Sequence, residues 1–353
     1  MPVASTSWWS IRTVGCSPRR SRSEIVSEPL AGAIVRPALE PASVADAIVR
    51  LRASRLVAIP TETVYGLAAR TLDAKAVAGI YAAKGRPTDN PLIAHASNIA
   101  MAQTLTAGWT EDAERLAVEL WPGPLTIVLH RHPNVPLIAT GGRESIAIRI
   151  PAHAVALEVI HRLGEPLSAP SANQSGSLSP TEARHVLADF VDLDLLILDG
   201  GPCRIGLEST VVDLRGPTPS ILRPGIVSAD RISDILQRAV QAPALVGQGD
   251  GPGSALSHYA PTTSSRLCGA DEAGGVDVAV ITFGREIDCS EGGPQDPFRL
   301  DLSEDPEVSG CLLYAALHAA DVSRCKRIDI VPPPETPAWA TIHDRLRRAT
   351  ADA

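Results

Sequence analysis

The chain has 353 residues, long enough for two domains, with 44% hydrophobic and 20% charged side chains, a balance that supports packed cores and excludes general disorder. Aromatic residues make up 3%, too few for stacked aromatic platforms that grip single-stranded nucleic acid or sugars. The net charge of -8 excludes a surface that is basic overall, so an anion must be held in a local positive pocket.

The first 23 residues carry four arginines, many serines and no acid, without the apolar centre of a secretory signal. Residues 1–30 read as a disordered tail, an over-long start or a transit peptide. "VADAIVRLRAS" (44–54) has apolar residues at helical spacing and precedes the buried strand "LVAIP". "DAKAVAGIYAAKGR" (73–86) is a predicted helix with Asp73 as N-cap and Pro87 as its stop. "PLIAHA" is a strand, and "TEDAERLAVELW" (110–121) a helix started by Thr110. "PLTIVLH" and "SIAIRIP" are strands, and "AVALEVIHRLG" a helix ended by Gly164. "PLSAPSANQSGSLSP" starts as a short strand and becomes a loop of small residues before the helix "TEARHVLADF". "LLILDGG" and "ESTVVDL" are strands, and "ISDILQRAV" is a helix. The alternation predicts an α/β domain over residues 31–240. Gly, Pro and small polar residues mark 241–265 as a linker. Strand, helix, strand and helix patterns over 266–353 predict a second, small α/β unit.

Six cysteines (Cys16, Cys203, Cys268, Cys289, Cys311 and Cys325) form no C-x-x-C pair, which argues against a zinc site and suits a reducing, cytoplasmic setting. No apolar run is long enough to cross a membrane. G-x-x-x-x-G-K-[ST] and G-x-S-x-G are both absent. "GQGDGPG" follows no strand and opens no helix, so it reads as linker.

Four cations stand out. Lys84 and Arg86 in "KGRPTDNPL" are either a solvated helix end or, with two prolines holding Asn90 in a turn, a rigid phosphate site. Arg149 lies in the apolar alternation "SIAIRIP" and either faces solvent or is buried beside an anion. Arg223 in "ILRPG" is a surface arginine or a further anion contact. "SAPSANQSGSLSPTEA" is either a plain linker or an anion cradle, with Ser179-Pro180 placed as N-cap and first helical residue. His95 closes the apolar run "PLIAH" and reads first as a structural histidine. No metal cluster and no carboxylate pair spaced for acid–base work is visible. The cations among Thr, Ser and Asn suit a polyanion plus a small polar molecule, with positioning and charge stabilisation as the chemistry.

"PTETVYGL", "KGRPTDNPL", "SAPSANQSG" with "SPT", "GLESTVVD" and "ILRPG", in this order over about residues 35–228, resemble the signature blocks of the threonylcarbamoyl-AMP synthase family of the YrdC/TsaC type. "HYAP" at 258–261 and the second α/β unit resemble its long form. The resemblance implies a YrdC-like twisted open sheet with helices, followed by a small Rossmann-like domain. It implies synthesis of threonylcarbamoyl-AMP and pyrophosphate from L-threonine, bicarbonate and ATP with Mg²⁺, and no tightly held cofactor. The product would supply a partner transferase acting at adenosine 37 of tRNAs that read ANN codons, with tRNA involved only indirectly.

By the same resemblance, Thr63, His95, Ser145, Arg149, Ala169 and Ser209 contact threonine. Arg86, Asn90, Ser171, Asn173, Ser179 and Arg223 hold ATP, with Lys84 on the phosphates and Lys84 and Arg86 as the catalytic cations. His258 and Tyr259 of the linker lid the nucleotide. The linker departs from the family pattern: "PGSALSHYAP" lacks the usual Met, basic residue and aromatic before HYAP. Two other functions are compatible with the fold. An RNA-binding module would show salt-steep binding without threonine. A carbamoyl transferase of the same fold normally brings acylphosphatase and zinc-finger-like segments, which do not appear here.

Overall fold

The computed structural model describes residues 32–241, 259–284 and 298–351. The 1–30 tail, most of the 241–265 linker and His258 lie outside these residues.

In chain order the elements are β1 (Ile34–Pro37), α1 (Pro41–Arg52), β2 (Val57–Ile59), β3 (Gly66–Arg70), α2 (Ala74–Lys84), β4 (Ile93–His95), α3 (Ile99–Gln103), α4 (Glu111–Leu120), β5 (Leu125–His130), β6 (Ser145–Arg149), α5 (Ala154–Leu163), β7 (Leu167–Ser168), α6 (Ala183–Asp189), β8 (Leu196–Asp199), β9 (Thr210–Asp213), β10 (Ser220–Arg223) and α7 (Ala229–Leu236). They are followed by β11 (Ser265–Leu267), β12 (Val278–Phe283), β13 (Phe298–Leu302), α8 (Pro306–Asp321), β14 (Arg327–Ile330) and α9 (Ala340–Ala349).

Several predicted helix ends hold. The Asp73 carboxylate accepts from the Lys75 and Ala76 amides, and the Thr110 hydroxyl from the Ala113 amide. Gly164 ends α5 in the left-handed region at φ 75°. Two differ. α2 stops at Lys84 because Gly85 turns left-handed at φ 58°, before Pro87 is reached. α6 starts at Ala183 after Glu182, not at Ser179-Pro180. The Ser179 hydroxyl is taken instead, donating to Glu208 Oε1 at 2.6 Å. Gly85→Ala is expected to cost about 1–2 kcal/mol, because the Cβ meets no neighbour and only the backbone conformation opposes it. A shifted urea midpoint at unchanged slope would show this.

Strands β1 to β10 form one mixed sheet in the order β1-β8-β2-β3-β7-β4-β6-β5-β9-β10. Around β2 and β8 both faces are covered. Alternate residues along β2 and β8 point to opposite sides: Ala58 and Ile197 join one core, while Val57, Ile59, Leu196 and Leu198 join the other with α1 and α5. The second sheet, β11-β14-β12-β13, is wholly parallel, as a small α/β unit requires.

The core of the small sheet does not stop at its own elements. Ala279, Ile281, Ile328 and Ile330 cluster with Leu313 and Leu317 of α8, and also with Val64, Leu178, Ile205 and Leu207 from loops of the large sheet. The approach is close: a Cβ at Gly206, which has φ 71°, would lie 2.4 Å from the Cys311 carbonyl oxygen. Loops that leave the large sheet are thereby fastened to α8.

Candidate functional site

β4 and β6 run parallel, with His95 paired to Arg149 at their carboxyl ends, the place where open α/β sheets present ligand-binding groups. Both residues line a cleft. The other walls come from the β2–β3 loop (Thr61, Thr63), the stretch after α2 (Arg86), the strand end after β7 (Ala169, Ser171), the entry to β9 (Glu208, Ser209), the end of β10 (Arg223), and Tyr259.

One half of the cleft is built around Arg149, which is 3% exposed. Its Nη1 donates to Thr63 Oγ1 at 2.8 Å and its Nε to the Gly123 carbonyl at 3.2 Å. Its Nη2 lies 2.6 Å from Glu62 Oε2, a carboxylate that is also buried. Burial alone would raise the Glu62 pKa, but the Arg149 guanidinium overrides it and holds the carboxyl below its ordinary value. Thr63 is fixed from a second side, with its hydroxyl 2.9 Å from that of Thr61.

His95 is neutral here, because burial, with Arg149 beside it, pushes its pKa down to about 3. Nδ1 lies 3.2 Å from the Ile93 carbonyl, which can only accept. The ring proton is therefore on Nδ1, and Nε2 is left as an acceptor.

The other half is cationic. Arg86 donates from Nε and Nη2 to the Asn90 carbonyl (3.2 Å), Asn90 Oδ1 (2.6 Å) and the Pro91 carbonyl (3.0 Å). Burial pulls its pKa down to about 10, so the charge is held at a cost that a bound anion would relieve. Arg223 chelates the Ser209 carbonyl from Nε (3.0 Å) and Nη2 (2.9 Å) and reaches Ser209 Oγ at 3.1 Å. Thr126 Oγ1 and Ser209 Oγ are 2.7 Å apart.

The structure brings Thr63, Arg86, His95, Arg149, Ala169, Ser171, Ser209, Arg223 and Tyr259 to this cleft. The other expected residues stand behind it or beside it. Asn90 braces Arg86. Asn173 Nδ2 donates to the Ser177 carbonyl at 2.7 Å. Lys84 is 2% exposed, and its Nζ donates to the carbonyls of Ser171 (2.6 Å) and Asn173 and reaches Asn173 Oδ1 (3.3 Å). Burial, reinforced by the Arg86 charge, holds its pKa well below the ordinary lysine value. Ser145 starts β6 on the same sheet face as Arg149, without lining the cleft.

Thr61, Glu62 and Glu208 stand at strand ends in the sequence motifs but are not counted among the expected site residues. Glu208 lines the cleft, and its carboxylate accepts from Ser179 Oγ (2.6 Å), the Tyr314 hydroxyl (3.1 Å) and Arg345 Nε (2.8 Å). Burial would raise its pKa; Arg345, Arg223 and the Ser179 bond bring it down to about 2. A signal existed: each of these acids sits beside an apolar strand, and Glu62 has no lysine or arginine within six residues in sequence.

The family model Sua5_yciO_yrdC, described as telomere recombination, matches residues 50–225. The model for the threonylcarbamoyl-AMP synthase C-terminal domain matches residues 227–351. A threonylcarbamoyl-AMP synthase of Bacillus subtilis (strain 168) is 37% identical over 322 residues, covering 87% of this chain and 92% of that protein. One from Pyrococcus abyssi is 46% identical over 216 residues, which is 60% of this chain and 64% of that relative. The crystal structure of P. abyssi Sua5 complexed with L-threonine matches with a TM-score of 0.79 at 35% identity, covering 90% of this chain and 96% of the other. By sequence over nearly its whole length and by fold, the chain belongs to the threonylcarbamoyl-AMP synthase family.

Proposed function

We propose that the cleft joins L-threonine, bicarbonate and ATP into threonylcarbamoyl-AMP and pyrophosphate. The observation that carries this is the pairing of two anion-binding halves in one cleft. Arg149 beside neutral His95 suits an amino-acid carboxylate, and Arg86 with Arg223 suits a polyphosphate. The bound threonine in P. abyssi Sua5 supports the first assignment.

In this reading Arg149 and Thr63 take the threonine carboxylate. His95 Nε2 accepts from the threonine hydroxyl or amine. The amine adds to carbon dioxide derived from bicarbonate and loses a proton, giving a carbamate. A carbamate oxygen attacks the α-phosphorus; the bond from that phosphorus to the bridging oxygen breaks, and pyrophosphate leaves with the electron pair. Two anionic reactants must meet, and Arg86 and Arg223 offset their repulsion. Asn90 positions Arg86, while Ser171 and Ser209 supply hydroxyl contacts to the substrates.

Magnesium would supply further charge neutralisation on the phosphates. Among the described residues no group of three His, Cys, Asp or Glu could hold a metal, and the Glu208 carboxylate is already engaged by three donors. The ion would thus arrive with the nucleotide. The adenylate would pass to a transferase that modifies adenosine 37 of tRNA. No helix among the described residues is long and apolar enough to cross a membrane, which is consistent with work in the cytoplasm.

Pyrophosphate release from ATP and Mg²⁺ should require both L-threonine and bicarbonate. Release independent of threonine, or none from folded protein, would overturn the proposal.

A further inference from the structure

Glu208 is out of place in a cleft read as a polyphosphate site. A carboxylate on that wall repels phosphate unless its charge is cancelled. The hydroxyl of Ser179 cannot cancel it. The charge that can, at direct hydrogen-bonding distance, comes from Arg345 of α9, whose Nε lies 2.8 Å from Oε2, while Tyr314 of α8 donates to the same oxygen at 3.1 Å. Arg345 is fully buried, which is rare for an arginine unless it is paired.

Its other contacts also lead to the cleft. Nη2 donates to the Pro224 carbonyl at 3.0 Å, next in sequence to Arg223. The guanidinium carbon lies 5.3 Å from the centre of the Tyr259 ring, and Tyr259 lines the cleft. Nη1 pairs with Asp344, which is anchored in turn by Arg348 at 3.1 Å.

We propose that Arg345 is a positioning residue for the nucleotide half of the cleft: it neutralises Glu208 and fixes Pro224 and Tyr259 around the phosphate site. Helix α9 of the small C-terminal unit thus completes the active site electrostatically, without touching substrate. This rests on the reading of the cleft as an ATP site.

The full chain is titrated with ATP and Mg²⁺, and separately with L-threonine, and KM is measured for both. Arg345→Gln should raise the Kd and KM for ATP about tenfold or more, with threonine affinity within about twofold of wild type. Arg345→Lys should recover part of the loss. Adding Glu208→Gln to Arg345→Gln should move ATP affinity back toward wild type, because the uncancelled charge is gone. A purely structural ion pair would weaken both substrates alike and show no rescue, and that pattern would overturn the inference. If Arg345→Gln does not fold, Arg345→Lys decides: it keeps a cation but loses the guanidinium's simultaneous reach to Glu208 and the Pro224 carbonyl, so ATP KM should rise several-fold with threonine KM unchanged, and no rise overturns the inference. Wild-type protein that fails to bind ATP would overturn the ATP reading together with this inference. Wild-type binding with unaltered binding by Arg345→Gln overturns this inference alone.

Discussion

Arg149→Leu is expected to cost about 3–5 kcal/mol of stability and to abolish threonine-dependent pyrophosphate release. The loss is larger than one hydrogen bond because of what remains. Glu62 is 2% exposed, and the Arg149 guanidinium, 2.6 Å away, is what offsets its burial. Removing the cation strands a carboxylate in the interior. The pH dependence should then reverse. In the wild type the Glu62 pKa lies below its ordinary value of 4.5, so its contribution to stability is present above that pH and fades as the pH falls through the folded value. In Arg149→Leu the largest lowering cause is gone, only backbone hydrogen bonds still oppose burial, and burial is expected to set the direction. The folded pKa rises above the unfolded one, and stability is lost as the pH rises through it. Urea unfolding from pH 4 to pH 8 should show the variant's deficit largest at neutral pH and shrinking toward acid. Glu62→Gln in the same chain should recover stability and leave activity absent. A deficit independent of pH would mean that Glu62 is not the group left unpaired.

Local signals carried much of the fold. Asp73 and Thr110 were readable as caps because their hydrogen bonds close within three residues. The strand β3 was not readable: Gly-Leu-Ala-Ala-Arg has no alternation, since both faces are buried, and its small residues favour helix as much as strand. β1, at the sheet edge, shows four exposed residues and leaves no pattern. The cations of the cleft were legible as types in the sequence, but their roles depend on non-local partners. Lys84 and Arg86 are two residues apart, yet one turns into the protein and the other into the cleft. Arg345 was available to a helical reading. It shares a face with Ile342, Leu346 and Ala349, where a charge must find a partner, but the partner is 137 residues away in sequence.

Lys84→Met and Arg86→Met should fail in different ways. Lys84 Nζ serves three oxygens of the loop after β7. The methionine fills the space without donating, and each oxygen left unpaired costs about 1–3 kcal/mol. An overall loss of about 3 kcal/mol corresponds to a fall in Tm of about 6–12 °C. The loop also carries Ser171 on the cleft wall and leads to Ser179, which bonds Glu208, so both substrates should bind more weakly. Arg86 sits on the cleft, and its bonds to Asn90 and Pro91 stay within its own turn. Arg86→Met also leaves oxygens of its own turn unpaired and should lower Tm, but it should raise KM for ATP alone, more than about tenfold, the equivalent of losing a charge-assisted contact of about 1.5–3 kcal/mol. KM for ATP and for threonine, measured beside thermal melts on the two variants, separate the roles. A Lys84→Met protein with unchanged Tm and a raised ATP KM alone would place Lys84 on the phosphates.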